Sequence, residues 1–529
     1  MVRIKRLLLR RLFRPLAAVL CMALVVSIFL IVSQTKLSVE DLSKPPVKGP
    51  TKPLVKGQSL QKPISAHDVA NNSSSVALAV IAKKPSKTTS ECDYTLEGFE
   101  ECLNAIVGRV LDDPIPSPSD WTAIGDLMRR YQRVYNVMVD VATHGTTHVH
   151  SIDVTEAMLS KFESLLFPWF IKGPLAITSY RAMTRSKGRG IVLTTGSKYA
   201  LVAKHTILMM RSIGCSLPIQ IMYYGDKDLA LPEQKILSEL KDVELVDLKS
   251  VLWVDGSTVG WHLKPLAVLA SRFRHVIMID ADALFFQRPE VLYDMKGYSE
   301  TGALLFRDRS LKYLTWGYGP ATISFLRQIA APYADGQFIA YSRIMNKVAA
   351  IETDSGIVVW DKARVMPVIM ATALMNTAPY LTSFLLSSQS MGDKESFWIA
   401  HEALHAPFVF GPGNGGSIGT LHTDPTTNRT KVCGEMYHPD DSGKPLWFNG
   451  GIGVRERAKD LKIRRPQYWA IEYSGIDVDW VYGVPICLYG EFDTPLGGTG
   501  VTIARLSEEE EALGSRMVDL WIELLQINE

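Results

Sequence analysis

The stretch Leu263-Lys264-Pro265-Leu266-Ala267-Val268-Leu269-Ala270-Ser271-Arg272-Phe273-Arg274-His275-Val276-Ile277-Met278-Ile279-Asp280-Ala281-Asp282 decides the fold class. Helical spacing of apolar residues over 263–273 predicts a helix, and the apolar run 276–279 predicts a buried strand that stops at a carboxylate. The same grammar precedes it. Arg189-Gly190-Ile191-Val192-Leu193-Thr194-Thr195-Gly196 reads as an apolar strand closing on a turn. It is followed by a helix over 198–213, a strand over 219–224 ending in Gly225-Asp226, a helix over 232–240 and a short strand over 243–248. Alternating strands and helices predict an α/β fold with a largely parallel sheet covered on both faces. Ligands of such sheets gather at the carboxyl ends of the strands, which places Thr194, Gly225 and Asp280 around one crevice. Further out, 121–139 carries helical periodicity, and the tail 508–528 opens acidic and then spaces Met517, Leu520, Trp521 and Leu524 as a docked terminal helix.

The chain has 529 residues, 47% apolar and 21% charged, enough to bury a sizeable core. Basic and acidic side chains nearly cancel, 57 against 55, which argues against a nucleic-acid partner. The start breaks that balance. Arg3, Lys5, Arg6, Arg10, Arg11 and Arg14 precede the uncharged apolar run 16–32. This predicts a cytosolic basic tail (1–14), a signal anchor (15–33) and everything beyond it on the lumenal side. A cleaved signal peptide is the competing reading, but Ile31-Val32-Ser33 offers a single small residue before a cut. Residues 34–90 are rich in Lys, Pro, Ser and Thr and lack aromatics, as a flexible stem does. A helical lumenal part (91–188) and the main folded domain (189–529) follow. N-glycosylation acceptors stand at Asn71, Asn72 and Asn428. Of the 6 cysteines, Cys21 falls in the anchor. That leaves an odd number, Cys92, Cys102, Cys215, Cys433 and Cys487, with Cys92–Cys102 the bridge favoured by proximity.

Asp280-Ala281-Asp282 sets two carboxylates directly after a buried strand, where both can reach a divalent cation and the oxygens of a diphosphate, the chemistry of a nucleotide-sugar donor site. The spacing alone is weak, since Asp226-Lys227-Asp228 and Asp477-Val478-Asp479 repeat it. Glu352-Thr353-Asp354-Ser355-Gly356, ahead of a strand over 357–360, and Gly392-Asp393-Lys394-Glu395-Ser396-Phe397-Trp398, opening a helix, add carboxylates at element ends. Asp393 and Glu395 have an alternative role as first-turn acids that complement the helix dipole. His438-Pro439-Asp440-Asp441-Ser442-Gly443-Lys444-Pro445-Leu446-Trp447-Phe448-Asn449-Gly450-Gly451 combines an imidazole, a cation suited to phosphate and a glycine turn; His422-Thr423-Asp424 competes with it as a source of a metal ligand.

Taken together, Trp261 to Ala267 with Arg274, Asp280 to Ala283, Tyr298 to Arg309, Gly392 to Trp398 and Lys444 to Gly451 resemble, in order, the fungal α-mannosyltransferases of glycosyltransferase family 71. The resemblance covers roughly 189–487 and implies a metal-dependent GT-A fold, a single-pass type II Golgi membrane location, GDP-mannose as donor and retention of the α configuration. It implies that Asp280 and Asp282 approach a Mn²⁺-diphosphate, that His438 is a late metal ligand, and that Lys444 neutralises the leaving diphosphate. Thr194, Thr195, Gly196 and Lys264 join the donor-binding groups, and Asp354 and Asp393 contact the transferred sugar and acceptor, with Asp393 nearest the reacting carbon. No residue stands out as a covalent nucleophile, so front-face displacement is expected. The implied partners are a mannose-containing glycan acceptor and sister mannosyltransferases. The strand and the Thr-Gly-Ala-Leu-Leu-Phe-Arg-Asp-Arg segment lean to the α-1,3 over the α-1,2 branch. The Gly-rich run 411–419 on the acceptor side is where family members differ. A transferase using another nucleotide sugar, a silent glycan-binding Golgi partner and a membrane-tethered glycosidase are the competing functions; nucleotide binding excludes the last.

Overall fold

The computed structural model describes residues 98–527 apart from 109–114, 145–148, 172–176, 255–259, 314–317, 332–341, 453–464, 476–477, 482–484, 493 and 497–499. The expected tail, anchor and stem, with Asn71, Asn72 and Cys92, lie outside the described residues. In chain order the strands are β1 (Arg189–Thr194), β2 (Ile219–Tyr223), β3 (Val243–Asp247), β4 (His275–Ile279), β5 (Ala283–Phe285), β6 (Ala303–Arg307), β7 (Thr353–Asp361), β8 (Val409–Phe410), β9 (Gly416–Thr423), β10 (Thr430–Pro439), β11 (Pro445–Asn449), β12 (Tyr468–Glu472), β13 (Trp480–Val481), β14 (Ile486–Tyr489) and β15 (Val501–Arg505).

The first sheet has the order β3-β2-β1-β4-β7-β6-β8. Its β3, β2, β1 and β4 are parallel, joined by the crossover helices Ala200–Ser212, Leu231–Ser238 and Lys264–Ala270. β7 then runs antiparallel to both β4 and β6. The α/β expectation therefore holds, but the sheet is mixed: the apolar run at 357–360 marks a buried strand without saying which way it points. Both faces are covered, which is why β4 is apolar without alternation. Val276 and Met278 enter one core with Trp360 and the N-terminal helices' Trp121, Tyr131 and Phe162. Ile277 and Ile279 enter the other, with Ile191, Ile357 and Trp447.

A second sheet, antiparallel and absent from the sequence reading, has the order β13-β14-β10-β9-β12-β15, with β11 joining β10 to β5. The terminal helix Glu508–Ile527 packs Met517, Val518 and Trp521 against its Tyr437, Trp469 and Ile471, as its spacing predicts. Cys433 on β10 faces Cys487 on β14 across the ladder, and the two form a disulfide. Cys215 is buried and free.

Candidate active site

Asp280 begins the turn that leaves β4, its amide donating to the Gly356 carbonyl on β7 (2.8 Å). Lys264, first residue of the helix Lys264–Ala270, is 2% exposed. Its ammonium lies 2.6 Å from Asp280 Oδ1 and 3.3 Å from Asp393 Oδ2, and donates to the Ser355 carbonyl (3.1 Å) and hydroxyl (3.2 Å). Asp393 does not cap the helix Ser396–Ala403 with its carboxylate. Its carbonyl accepts from the Ser396 amide (3.0 Å) and hydroxyl (2.5 Å), and the carboxylate turns to Lys264. The helix-dipole alternative thus gives way to an ion pair at Asp393. Glu395 is structural: it accepts from the Glu352 amide (3.1 Å) and Trp398 Nε1 (2.6 Å), and burial pushes its carboxyl up to about 7.

Lys264 is flanked by carboxylates. Burial pushes Asp280 up to about 7, opposed by Lys264 and reinforced by Asp282 and Asp393. Burial works to lower the Lys264 ammonium, but Asp280 and then Asp393 hold it above its ordinary range. Asp280 and Asp282 offer oxygen ligands only, the donor type that a hard divalent cation takes when water and phosphate complete its shell. His438 does not enter that set. Among the described residues no three His, Cys, Asp or Glu side chains are arranged to hold a metal.

Instead, His438 Nε2 lies 3.0 Å from Asp354 Oδ2, and the ring stacks on Trp447 at 4.3 Å. Asp354 Oδ1 accepts from Asn449 Nδ2 (3.0 Å) and the Gly356 amide (3.0 Å). Burial works to raise Asp354, yet the His438 hydrogen bond and the Lys394 charge hold it well below the usual carboxylate range. Lys394 Nζ is itself 2.5 Å from Asp308 Oδ2. The segment expected ahead of the strand is its first half: β7 starts at Thr353, because β6 continues pairing past an irregularity, Phe306 opposite Asp354. Alternation along β7 sends Asp354 to His438 on one face and Ser355 to Lys264 on the other. Gly356 lets β11 approach, since a Cβ there would sit 2.6 Å from Asn449 Nδ2.

The remaining expected residues divide. Leu193 pairs with Ile279, so Thr194 ends its strand beside Asp280. Thr195 donates its amide to the Met222 carbonyl (3.3 Å), and a Cβ at Gly196 would meet Asp228 Oδ1 at 2.6 Å. These three lie at the carboxyl edge of β1. Lys444 is misplaced by the sequence reading. It is exposed in the β10–β11 hairpin, whose turn Asp440 holds by accepting from the Ser442 and Lys444 amides (2.8 and 2.9 Å). Asn449, at the other end of β11, pairs with Ala283 next to Asp282. Five strand residues at about 3.3 Å each separate Lys444 from the carboxylates by about 16 Å. His422 is exposed on β9, bonded to Thr420 Oγ1 at 2.9 Å, and Asp424 organises the exposed turn that presents Asn428.

A family model described as "Mannosyltransferase putative" matches residues 188–440, a span that holds Thr194, Lys264, both acidic centres and His438. The chain is 26% identical over 332 residues to the α-1,3-mannosyltransferase MNT3 of Saccharomyces cerevisiae, covering 55% of this chain and 51% of that protein. It is 21% identical over 398 residues to the α-1,3-mannosyltransferase MNT2 of the same yeast, covering 64% and 69%. Over this span the chain resembles the fungal α-1,3-mannosyltransferases. It matches only about half the length of relatives such as MNT3. Among solved structures, the galactosyltransferase LgtC with donor and acceptor sugar analogues aligns over 42% of this chain and 73% of its own, at 10% identity and a TM-score of 0.27.

The sequence reading missed Asp308, Lys394, Ser355 and Asn449 as site residues. All four sit inside segments quoted for other residues, and strand alternation could have singled out Ser355. Lys394 and Asn449 carry no local signal, because β6, β11 and the 392–395 turn bring them to the site from distant parts of the chain.

Proposed function

We propose that the protein is a retaining, metal-dependent α-1,3-mannosyltransferase of GT-A type, transferring mannose from GDP-mannose to a mannose-terminated glycan. The observation that carries this reading is the buried Lys264 ammonium bridging Asp280 and Asp393 at the carboxyl edge of the parallel strands. The resemblance supports mannose as the transferred sugar. Thr194, Thr195 and Gly196 would flank the nucleotide. Asp280 and Lys264 would orient the diphosphate end of the sugar, and Asp393, fixed by Lys264, would lie against the sugar and hold its hydroxyls. Lys394, paired with Asp308, would place positive charge near Asp354 on the opposite face of β7. A divalent cation such as Mn²⁺, held by Asp280 and Asp282, would supply charge stabilisation to the departing diphosphate. In the transfer the bond from the anomeric carbon to the phosphate oxygen breaks, and a bond to the acceptor hydroxyl oxygen forms on the same face. The hydroxyl proton passes to the leaving phosphate. The basic segment and apolar run before residue 33 support a type II Golgi anchor, and the exposed Asn428 is a lumenal glycosylation acceptor in that reading.

The test uses the full-length protein in detergent with Mn²⁺, a mannose-terminated oligosaccharide and a panel of nucleotide sugars, beside Asp282→Ala. The expected result is one hexose transferred from GDP-mannose, about 100-fold slower or worse in the variant, abolished by EDTA, and α-1,3 by linkage analysis. Absence of both transfer and metal-dependent GDP binding would leave a silent glycan-binding partner as the better reading.

A further inference from the structure

Trp261 is 64% exposed, three residues before the lysine that bridges the two carboxylates. The ring has a fixed seat. Gly392, with φ +71°, has no side chain to intervene, and a Cβ there would lie 3.1 Å from Trp261 Cε3, so the Cε3 edge of the indole sits close against the glycine. Gly392 immediately precedes Asp393. The seat is tied down from behind as well. His262 Nδ1 lies 2.9 Å from Asn376 Oδ1, Asn376 Nδ2 donates to Ser396 Oγ at 2.9 Å, and Ser396 Oγ donates to the Asp393 carbonyl. Neighbouring Met391, 40% exposed, extends the apolar surface. A Trp seated against backbone along its benzo edge and otherwise largely exposed is a preorganised platform: it offers large, rigid contact area at little cost in side-chain entropy.

We infer that Trp261 stacks on the terminal pyranose of the acceptor glycan and sets its approach to the Asp280–Lys264–Asp393 centre. This rests on the transferase reading above. A pyranose has one face presenting only C–H bonds, whose partial positive charge suits the electron-rich face of an indole, while its rim of hydroxyls stays hydrated. The position selects the acceptor over the donor. In the proposed arrangement the diphosphate belongs with the buried carboxylates and the nucleoside with Thr194–Gly196, whereas the exposed Trp261 is reached from solvent, as an incoming glycan chain is. Asp393, backbone-linked to the seat of the ring, then couples the platform to the reacting sugar.

The experiment compares the full-length wild-type protein, Trp261→Ala and Trp261→Phe. It measures binding of methyl α-mannobioside in the presence of GDP and Mn²⁺, binding of GDP alone, and transfer kinetics. Trp261→Ala is expected to weaken mannobioside binding and raise the acceptor KM by about tenfold, with GDP affinity and GDP-mannose hydrolysis to water within twofold. Trp261→Phe is expected to recover most of the loss. Unchanged mannobioside binding in Trp261→Ala, or an equal loss of GDP affinity, overturns the inference. The two readings separate cleanly: Trp261-dependent saccharide binding without transfer defeats the proposed activity and keeps the platform, and transfer that ignores Trp261 does the reverse.

Discussion

Two lysines in this molecule are equally buried and behave in opposite ways. Lys264 sits between Asp280 and Asp393, which keep its ammonium charged beyond the ordinary range. Lys362, at the start of the helix Lys362–Met375, makes no ion pair with a carboxylate among the described residues. It donates to the Ser271 carbonyl (2.5 Å), the Leu269 carbonyl (3.2 Å) and Ser186 Oγ (3.4 Å), and burial pushes it down to about 7. Removal from water costs both the same kind of solvation; the partner decides the charge state. Lys362 closes the end of the helix that Lys264 begins, a structural use that tolerates neutrality. Lys264 must stay charged, because without it two carboxylates face each other unopposed.

Lys264→Met should give the largest effect and break the comparison outright. It strands Asp280 and Asp393, costing about 3–5 kcal/mol in urea unfolding, and should slow transfer by at least about 100-fold. A variant as stable as wild type would mean the carboxylates find other partners. Lys362→Met should cost less, about 1–3 kcal/mol near pH 8, for the carbonyls left without a donor. Its pH dependence is the sharper readout. Below pH 7 folded and unfolded chains both hold the lysine proton, and the desolvation penalty stands in full. From about 7 to the unfolded value near 10.4 only the unfolded chain holds it, so wild-type stability gains a rising component with pH. Lys362→Met should lose that component, whereas Lys264→Met should keep it, since Lys264 stays protonated in both states over this window. Parallel profiles for wild type and Lys362→Met would remove the contrast. Ser355→Ala should have the smallest effect, about 1 kcal/mol, because the Ser355 carbonyl still accepts from Lys264.

The first sheet was legible because its strands announce themselves twice, by an apolar run and by the polar residue that ends it. Asp280 and Thr194 were found that way and Asp393 by its place at the opening of a helix, and the structure sets Thr194 and Asp393 beside Asp280. The second sheet was not legible. Its strands β9 and β10 are rich in Gly, Thr and charged residues, and they acquire their burial from a terminal helix that local pattern does not connect to them. Two errors trace to the same source. Lys444 and His438 were taken as one motif because they are close in sequence, but a hairpin carries them apart: His438 ends β10 beside Asp354, and Lys444 turns out to solvent. The pairing of Cys433 with Cys487 is likewise a product of ladder register, invisible in the spacing of cysteines along the chain.

β5 has a consequence for how the protein comes into being. This three-residue strand, immediately after Asp282, pairs only with β11 among the described strands. Synthesis delivers the carboxylate pair early and its supporting strand late, so a ribosome-bound chain ending before β11 holds Asp280 and Asp282 on an unsupported edge. Contacts of such large sequence separation form slowly. A chain cut short before residue 445 would therefore lack this support beneath its acidic turn, and competence for chemistry would arrive only once β11 has been made.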